Sequence, residues 1–532
     1  MRIKLLLVLC LFTILNVEAQ KKKPAPKTVV KDEVIYHIFQ RSFYDSNGDN
    51  HGDLNGIRQK LDYLQNLGVT AVLLTPLYDS PFYHNYFAND FKAIDPKYGT
   101  LQDYLALIKD LHKRGMKFYM DMETQYVTQG HDWWVDGVGD LESKYKDYIL
   151  YDDSAHRKPT TIVYGLDGLK GYDGVFKKIT TVNLNSPKVL EYNYQLFKYW
   201  MDPNNDKHFD DGVDGFRLDH AMDNLDNKGI LPHLFQTFWS PLISKLRKVN
   251  PKINIVAEQS NWGSLGQDYF TKCNVDRVFG FRMAFAIRSF NKSQLVKAAD
   301  STFLLVSQGK QQIIFLENHD TPRFSFGVQG DIAKLKTGAA LNLLLGGIPS
   351  IYYGQELGMT GNSAKFGATD ANEIPNREAF EWYKKDKGPG MAFWYKQKGP
   401  WKDQFNNDKP NDGISLEEEM DDPNSLWYFY REMLSLRKAN PVLIKGAYKT
   451  LANNNDQVFS FERSENGKRI VIAVNLSDRN QDVAVQLSGK ETKLNRIRGI
   501  VKAAIVPAAK TGDPNTIKVN MSPNGVEVWG LE

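Results

Sequence analysis

The sequence predicts an α/β fold, namely a (β/α)8 barrel with a domain inserted after its third strand and an antiparallel β-domain at its C-terminal end. From Glu33 onward, short β-branched runs alternate with longer amphipathic stretches. This alternation indicates parallel strands joined by helical crossovers, and eight such units close into a barrel. Two long irregular stretches and a final series of alternating apolar residues mark the parts outside the barrel.

The individual elements follow from two periodicities. Apolar residues three or four positions apart, such as Ile57, Leu61 and Leu64, predict helices, and short β-branched runs predict strands. The predicted barrel strands are residues 34–39, 69–75, 117–121, 213–219, 253–258, 312–316 and 348–353. The predicted helices are residues 54–67, 101–114, 187–201, 333–345 and 425–439.

Regions outside this pattern predict the domain organisation. Residues 123–184 are rich in Gly, Asp and Tyr and have no clear period, so they are predicted to form an inserted B domain within a barrel of residues 32–445. Residues 358–424 are also loop-like and rich in Trp. Alternating apolar runs predict a C-terminal β-sandwich domain over residues 446–532.

The start of the chain differs in character from the rest. Arg2 and Lys4 precede an apolar stretch that ends at Leu15, and Val17-Glu18-Ala19 resembles a small-x-small cleavage site. Residues 1–19 are therefore predicted to be a signal peptide, which implies export to the periplasm or the outside of the cell. The apolar stretch is too short for a transmembrane helix, and no later segment is long and apolar enough to be one.

Charge and cysteine content exclude some functions. Residues 1–19 carry a net charge of +1 and residues 20–31, a linker with five lysines, carry +5, so the remaining chain carries −2 of the total of +4. The basic character lies in this linker rather than on a folded surface, and no nucleic-acid partner is indicated. Cleavage after Ala19 leaves Cys273 as the one cysteine, which excludes an intrachain disulfide.

Charged side chains cluster where the predicted strands end. Asp219 ends the fourth strand, Glu258 ends the fifth, and His319 and Asp320 follow the run 312–316. Active sites of such barrels lie at the carboxyl ends of the strands, so these groups are expected to converge. A single Asp at a strand end is more often a helix cap or a turn former than a catalyst, but three acids at three strand ends favour a catalytic site.

The surroundings of two of these acids point to different roles. Side chains alternate along a strand, so Arg217 is expected to point the same way as Asp219 and to keep its carboxylate ionised, as a nucleophile requires. Glu258 follows an apolar strand. Partial burial beside other carboxylates would raise the pKa of Glu258, as a general acid requires.

Several segments occur in the order and at the spacing typical of one enzyme family. They are Gly215-Phe216-Arg217-Leu218-Asp219, the strand ending in Glu258, Phe315-Leu316-Glu317-Asn318-His319-Asp320, Gly347-Ile348-Pro349-Ser350-Ile351-Tyr352-Tyr353-Gly354-Gln355-Glu356, and the stretch from Asp422 to Pro441. Over roughly residues 33–450 the chain resembles the α-amylase family, glycoside hydrolase family 13. The resemblance is nearest to its neopullulanase, cyclomaltodextrinase and α-glucosidase-like branch.

This resemblance implies a retaining glycosidase mechanism with a role for each residue. Asp219 would form a covalent glycosyl-enzyme, and Glu258 would act first as general acid and then as general base. Asp320 would bind sugar hydroxyls and favour the distorted transition state, while Arg217 and His319 would support the nucleophile and the reacting sugar. The two carboxyl groups of a retaining pair are expected about 5–5.5 Å apart, because no water has to fit between nucleophile and sugar.

Two neighbouring aromatic residues bear on how a sugar would be held. Tyr86 matches the residue on which the family stacks the reacting glucose, and its alternative role is that of a loop aromatic packed under the barrel rim. Phe87 stands where exo-acting α-glucosidases usually carry Asp, which weakens an exo-glucosidase assignment.

Other positions also depart from the commonest family residues. Gln125 and Tyr126 stand where the family usually has Asn and His. Tyr126 either hydrogen-bonds the sugar in place of the His or fills the space, and a second calcium near the inserted domain is put in doubt. Met222 and Asp223 replace the Lys-His pair with which α-amylases contact sugar beyond the cleaved bond.

The loop of residues 45–53 has the composition of a calcium site. Oxygen ligands at alternate positions can wrap one hard cation. The candidate ligands are the side chains of Asp45, Asn47, Asp49 and Asp53 and the backbone carbonyl of His51. The loop resembles the calcium loop after the first strand of α-glucosidase-type and neopullulanase-type family members, and an Asx-turn loop without metal is the alternative.

The resemblance thus implies an enzyme that hydrolyses α-1,4-linked glucans such as starch, maltooligosaccharides or cyclodextrins. The first alternative is an α-glucan transglycosylase, since the chemistry is the same up to the glycosyl-enzyme and only the acceptor differs. The second is a non-catalytic relative that binds sugar, which predicts the loss of an acid. All three acids are present.

Overall fold

A closed barrel of eight parallel strands forms the centre of the computed structural model, which describes residues 32–306, 309–385, 387–402, 407, 409–489, 494–500 and 515–531. The strands are β1 (Ile35–Ile38), β2 (Ala71–Leu74), β3 (Lys117–Met122), β4 (Gly215–Leu218), β5 (Asn254–Ala257), β6 (Arg277–Phe279), β7 (Gln311–Ile314) and β8 (Ile348–Tyr352). Each pairs with the next in chain order, and β8 pairs with β1 to close the ring. The predicted barrel is confirmed.

The strand β6 is the one that the sequence pattern did not reveal. It has three residues and begins with the charged Arg277, so it offers neither a β-branched run nor a detectable period. Its alternation is nonetheless regular, since Val278 joins the main core and Phe279 joins a separate apolar cluster with residues such as Ile35 and Ile313. The second cluster fills the inside of the barrel.

Helices cover the outside of the barrel. The α-helices of at least six residues are Leu54–Gln59, Leu61–Leu67, Leu101–Lys113, Pro187–Met201, Ser240–Val249, Phe281–Arg288, Lys292–Leu304, Ile332–Leu344, Leu416–Asp421 and Leu426–Ala439, and the shorter ones are Asp132–Val135, Phe324–Gly327 and Pro441–Lys445. The helix predicted over residues 54–67 is two helices, because Lys60 leaves helical geometry with φ −104° and ψ 9°. Thr100 and Asp103 form a capping box that fixes the start of Leu101–Lys113.

Smaller sheets lie outside the barrel. After β3, the strands Tyr126–Thr128, Phe176–Thr181 and Gly168–Lys170 form an antiparallel sheet in that order. Near the C-terminal end, a five-stranded antiparallel sheet has the order Ala447–Thr450, Val458–Glu465, Lys468–Asn475, Val526–Leu531 and Leu494–Ile500, and a second sheet pairs Gln481–Gln486 with Thr516–Met521. Residues of both sheets, including Trp529 and Val485, share one apolar core.

Two predictions concern export and membranes. The proposed signal peptide, residues 1–19, and the linker, residues 20–31, lie outside the described residues. In the described part of the chain no helix combines the length and the apolar character needed to cross a bilayer. Cys273 is a buried free thiol.

A buried charge cluster lies at the amino end of the barrel strands. Arg277, at the start of β6, donates to both oxygens of Glu33 and to the hydroxyl of Tyr119 at 2.8 Å, and Lys117 donates to Glu33 at 2.6 Å. Burial raises the pKa of Glu33, but the charges and hydrogen bonds of Arg277 and Lys117 outweigh it and lower the value to about 2. The cluster joins β3 and β6 to Glu33, two positions before β1.

We predict that Arg277→Met lowers the free energy of unfolding by about 3–5 kcal/mol, because it leaves the buried Glu33 with insufficient compensation. The double variant Glu33→Gln/Arg277→Met should recover most of this loss, since both charges are then removed. Chemical denaturation of the full chain measures both, with Arg157→Met at an exposed site as the matched control. Equal stability of the single variant and the parent would contradict the role assigned to the cluster.

Candidate active site

A cavity of 390 Å³ lies at the carboxyl ends of the barrel strands. Its lining consists of His84, Tyr86, Phe87, Glu123, Tyr126, Val163, Leu169, Asp219, His220, Glu258, Trp262, Asp320, Thr369, Asp370, Glu373 and Arg377. Asp219 directly follows β4 and Glu258 directly follows β5, while Asp320 lies in the loop after β7. The fold therefore brings the three candidate acids into one cavity.

Arg217 connects the acidic groups of this cavity. Its side chain lies in β4 and is almost fully buried. One terminal nitrogen, Nη1, donates to Asp219 and, at 2.6 Å, to Asp121 in β3, and the other, Nη2, donates to Glu258 at 2.8 Å. The side chains of Arg217 and Asp219 point the same way, as strand alternation requires. One guanidinium thus holds three carboxyl groups from three adjacent strands.

Burial and charge set the protonation of the two central acids. Burial raises the pKa of Glu258 to about 7 against the effect of Arg217, and the neighbouring charge of Asp219 adds to the rise. Burial also raises the pKa of Asp219 from its usual value, although Arg217 opposes it. Near neutral pH this arrangement favours a protonated Glu258 beside an ionised Asp219, with the strongest rise on the glutamate.

The third acid has a different environment. Asp320 contacts the ring of His319 at 3.0 Å and Arg377 at 3.1 Å. Burial alone would raise the pKa of Asp320, but His319 and Arg377 hold it well below its usual range. Tyr86 stacks on His319 with ring centroids 5.4 Å apart, and its hydroxyl reaches Asp121 and His319 at 2.6 Å each. His319 and Arg377 therefore favour the ionised form of Asp320.

Tyr126 lines the cavity on the other side of Asp219. Its hydroxyl donates to Asp226 at 2.5 Å, and the same carboxylate oxygen is 3.1 Å from Nε2 of His220. The backbone N–H of His220 lies 3.4 Å from Glu258, and the side-chain amide of Gln125 donates to the carbonyl of Asp219. The two residues that replace the usual Asn-His pair thus brace the loop that carries Asp219.

Several residues that line the cavity or contact its acids were not among the sequence candidates. Asp121 could have been selected in the same way as Asp219, as an acid at the end of a predicted strand, because it lies near the carboxyl end of β3. His220 and Trp262 lie one and four positions after selected acids and carried no signal of their own. Asp370 and Arg377 come from the irregular stretch 358–424, where no periodicity indicates which side chains turn toward the barrel.

The residues that differ from the commonest family residues lie in different environments. Phe87 lines the cavity next to Tyr86. Met222 is buried in the main apolar core, and the carboxylate of Asp223 accepts the backbone N–H of Phe235 at 2.8 Å. Met222 and Asp223 therefore serve the packing and backbone of their own loop.

The loop of residues 45–53 lies outside this cavity and closes on its own polar groups. Asp45 accepts three backbone N–H groups of the loop, and Asp53 accepts from Ser46 and Gly56. Asp49 contacts Lys97 at 3.0 Å. No group of three or more His, Cys, Asp and Glu side chains among the described residues is arranged for a metal, so an ion here needs amide and carbonyl ligands too.

One observation supports a cation in this loop. Asp45 and Asp53 are both buried, and neither forms an ion pair with any described residue. Burial raises the pKa of Asp53, and the nearby charge of Asp45 adds to the rise. Buried carboxylates without a cationic partner are the donor chemistry that a hard divalent cation neutralises, and the same oxygens accept backbone N–H groups of the loop, as in an Asx-turn loop without metal.

Comparisons with known proteins identify the family to which the chain is similar. A family model described as the catalytic domain of alpha amylase matches residues 37–446. The chain is 28% identical over 457 residues to alpha-amylase 3 of Dictyoglomus thermophilum, covering 84% of this chain and 85% of that one. It is 27% identical over 522 residues to the oligo-1,6-glucosidase of Parageobacillus thermoglucosidasius, covering 84% and 90%.

Solved structures give the same result. The alpha-amylase from H. orenii superimposes with a TM-score of 0.78 at 28% identity, over 94% of this chain and 100% of that one. Eubacterium rectale Amy13B follows with a TM-score of 0.75 at 25% identity, over 94% and 95%. Because the family model covers most of the chain and the fold agrees with it, the chain belongs to the α-amylase family of glycosidases, glycoside hydrolase family 13.

Proposed function

We propose that this family member is a retaining hydrolase of α-1,4-linked glucans, such as starch, maltooligosaccharides or cyclodextrins, and that it acts through a covalent glycosyl-enzyme. The observation that carries the proposal is the shared guanidinium of Arg217, which holds Asp219 and Glu258 side by side in one cavity. Their expected separation of about 5–5.5 Å belongs to the proposal, because a retaining pair leaves no room for a water between nucleophile and sugar.

In the first step, the carboxylate of Asp219 attacks the anomeric carbon as the glycosidic C–O bond breaks. The proton of Glu258 passes to the departing oxygen, so the leaving sugar departs as a neutral alcohol. Arg217 stays bound to both acids and offsets the charge that Glu258 acquires. The raised pKa of Glu258 supports this role, since it keeps the proton available near neutral pH.

In the second step, Glu258 is the general base. It takes a proton from water, whose oxygen attacks the anomeric carbon and releases Asp219. The sugar keeps its α configuration because the centre is inverted twice. Tyr86 supplies the stacking surface, Asp320 and His319 bind hydroxyls of the reacting sugar, and Tyr126 either contacts sugar or acts through Asp226 on the loop carrying Asp219.

Two alternatives differ in acceptor and linkage. A transglycosylase would use the same residues and replace water by a sugar hydroxyl. Cleavage of α-1,6 bonds is the second candidate, because one similar protein is named an oligo-1,6-glucosidase. A sugar-binding protein without activity is the remote alternative.

We further propose that the chain works outside the cytoplasm. The support for this proposal is the signal-peptide pattern in residues 1–19.

Product analysis tests the proposal. Incubation with maltoheptaose should release shorter maltooligosaccharides whose new reducing ends start as the α-anomer, which NMR detects before mutarotation. Isomaltotriose should be cleaved more slowly than maltotriose. Initial β-anomer would contradict retention, products longer than maltoheptaose would favour transfer, and faster cleavage of isomaltotriose would favour α-1,6 action.

The variant Asp219→Asn serves as the control for this experiment. It removes the nucleophile and preserves the side-chain shape, so kcat/KM should fall by at least about 10³-fold. Full activity in this variant would show that the observed hydrolysis does not use the proposed nucleophile.

The pH profile tests the assignment of Glu258. As a general acid it must be protonated, so kcat/KM for maltotriose should decline as the pH rises through about 7, the pKa of that group. α-Glucosyl fluoride needs no proton to leave, so its glycosylation step should lack this alkaline decline. The same decline for both substrates would assign the titration to another group.

A metal-removal experiment tests the loop 45–53. We propose that it binds one Ca²⁺ through the side chains of Asp45, Asn47, Asp49 and Asp53 and the carbonyl of His51. A chelator should lower the free energy of unfolding by about 3 kcal/mol relative to free Ca²⁺ at about 100 times its Kd. Asp45→Asn should be insensitive to the chelator, with the exposed Asp140→Asn as matched control. Equal stability of the parent with and without Ca²⁺ would contradict the site.

A further inference from the structure

Asp370 is a buried carboxyl group of the cavity that the proposed mechanism does not use. It begins the 3-10 helical segment Asp370–Arg377, whose first turn is fixed by Thr369 through a hydrogen bond to the backbone of Ala371. The residue is 6% exposed and lines the cavity that contains Asp219 and Glu258. Neither of its two carboxylate oxygens has a hydrogen-bond partner among the described residues.

This isolation sets Asp370 apart from the other acids of the cavity. Asp219 and Glu258 share Arg217, and Asp320 is held by Arg377. The nearest basic side chain to Asp370 is His84, whose Nε2 lies 3.9 Å away, beyond hydrogen-bond distance. Buried polar groups are nearly always hydrogen-bonded, so two bare oxygens in a cavity wall indicate that a ligand supplies the donors.

Hydrogen bonds connect the backbone of Asp370 to the groups assigned to the retained sugar. The backbone carbonyl of Asp370 accepts from the hydroxyl of Tyr83 at 3.1 Å, and that hydroxyl accepts from Arg377 at 2.9 Å. Arg377 in turn holds Asp320, which the proposed mechanism assigns to the hydroxyls of the reacting sugar. This connection to Asp320 is the reason for assigning Asp370 to the sugar that stays on the enzyme.

The chemistry of the group suits a neutral, hydroxyl-rich ligand. A carboxyl group with two free oxygens can accept hydrogen bonds from two neighbouring hydroxyls of one sugar ring. Burial raises the pKa of Asp370 to about 7, while the charges of Lys177 and Arg377 and the nearby backbone N–H of Tyr172 oppose the rise. Burial outweighs these groups, and hydroxyl donors from a bound sugar would stabilise the ionised form.

We propose that Asp370 is a specificity-determining residue that binds glucan hydroxyls on the glycone side of the cleaved bond. The proposal rests on the proposed function and adds the residue that selects the sugar. Its removal should weaken binding of the correct sugar and should also abolish discrimination against analogues that lack the contacted hydroxyl, since a site built around a hydroxyl rejects the analogue without it.

The experiment compares maltotriose with analogues that each lack one hydroxyl on the non-reducing glucose. In the parent, at least one analogue should lose about 10- to 100-fold in kcat/KM, the range of a hydrogen bond to a charged group. Asp370→Ala should lower kcat/KM for maltotriose by a similar factor and respond less than threefold to the same deletion. The control is Asp140→Asn, at an exposed site outside the cavity, which should behave as the parent.

Two further measurements separate the possible failures. Asp370→Ala should be at least as stable as the parent in thermal unfolding, because the cost of burying a carboxyl group is removed, whereas a structural role would lower stability. Activity within threefold of the parent with unchanged discrimination would overturn the assignment of Asp370 and leave the proposed function standing.

The proposed function fails in a different way, namely if the parent releases no product from any α-glucan. In that case, calorimetric titration of maltotriose into Asp219→Asn and into Asp219→Asn/Asp370→Ala decides about Asp370. Binding that weakens about 10-fold or more in the double variant supports the contact. Equal binding in both, or no binding in either, overturns it.

Discussion

The guanidinium of Arg217 is the constraint around which the catalytic end of the barrel is organised. A buried cation needs anionic partners, and a group of buried carboxylates needs a cation, so neither is stable without the other. Here one side chain of β4 meets Asp121 from β3, Asp219 from its own strand and Glu258 from β5. The strands must keep their register for these contacts to form. The electrostatics of the site therefore depend on the backbone hydrogen bonds between strands, which also close the barrel.

The sequence predicted the parts of this arrangement that follow a period or a strand end. Asp219, Glu258 and Asp320 were found because each follows an apolar run, and the fold class was found because seven strands have a readable pattern. β6 was missed because three residues beginning with Arg277 contain no period. Asp370 and Arg377 were missed for another reason: they come from a long irregular segment, and only long-range packing decides which of its side chains turn toward the cavity.

The acids that the sequence predicted are assigned to the reaction, whereas Asp370, which the sequence pattern did not reveal, is assigned to the substrate. Residues at strand ends are fixed by the rigid barrel and carry the chemistry that the family shares. Residues on long loops are positioned by loop packing, and such loops are where related barrels differ in what they bind. Phe87, Tyr126, His220 and Asp370 all lie outside the barrel strands and line the same cavity. The reaction class is therefore better determined than the sugar on which it acts.

The buried cluster of Glu33, Lys117, Tyr119 and Arg277 has a consequence for how the enzyme can change over time. It closes the barrel at the end opposite to the acids, and the apolar side chains inside the barrel separate the two sets of charges. Substitutions at sites that share no partners combine additively. Natural variation at the amino end can thus change the stability of the barrel. The loops at the carboxyl end can diverge toward new sugar substrates without changing that stability.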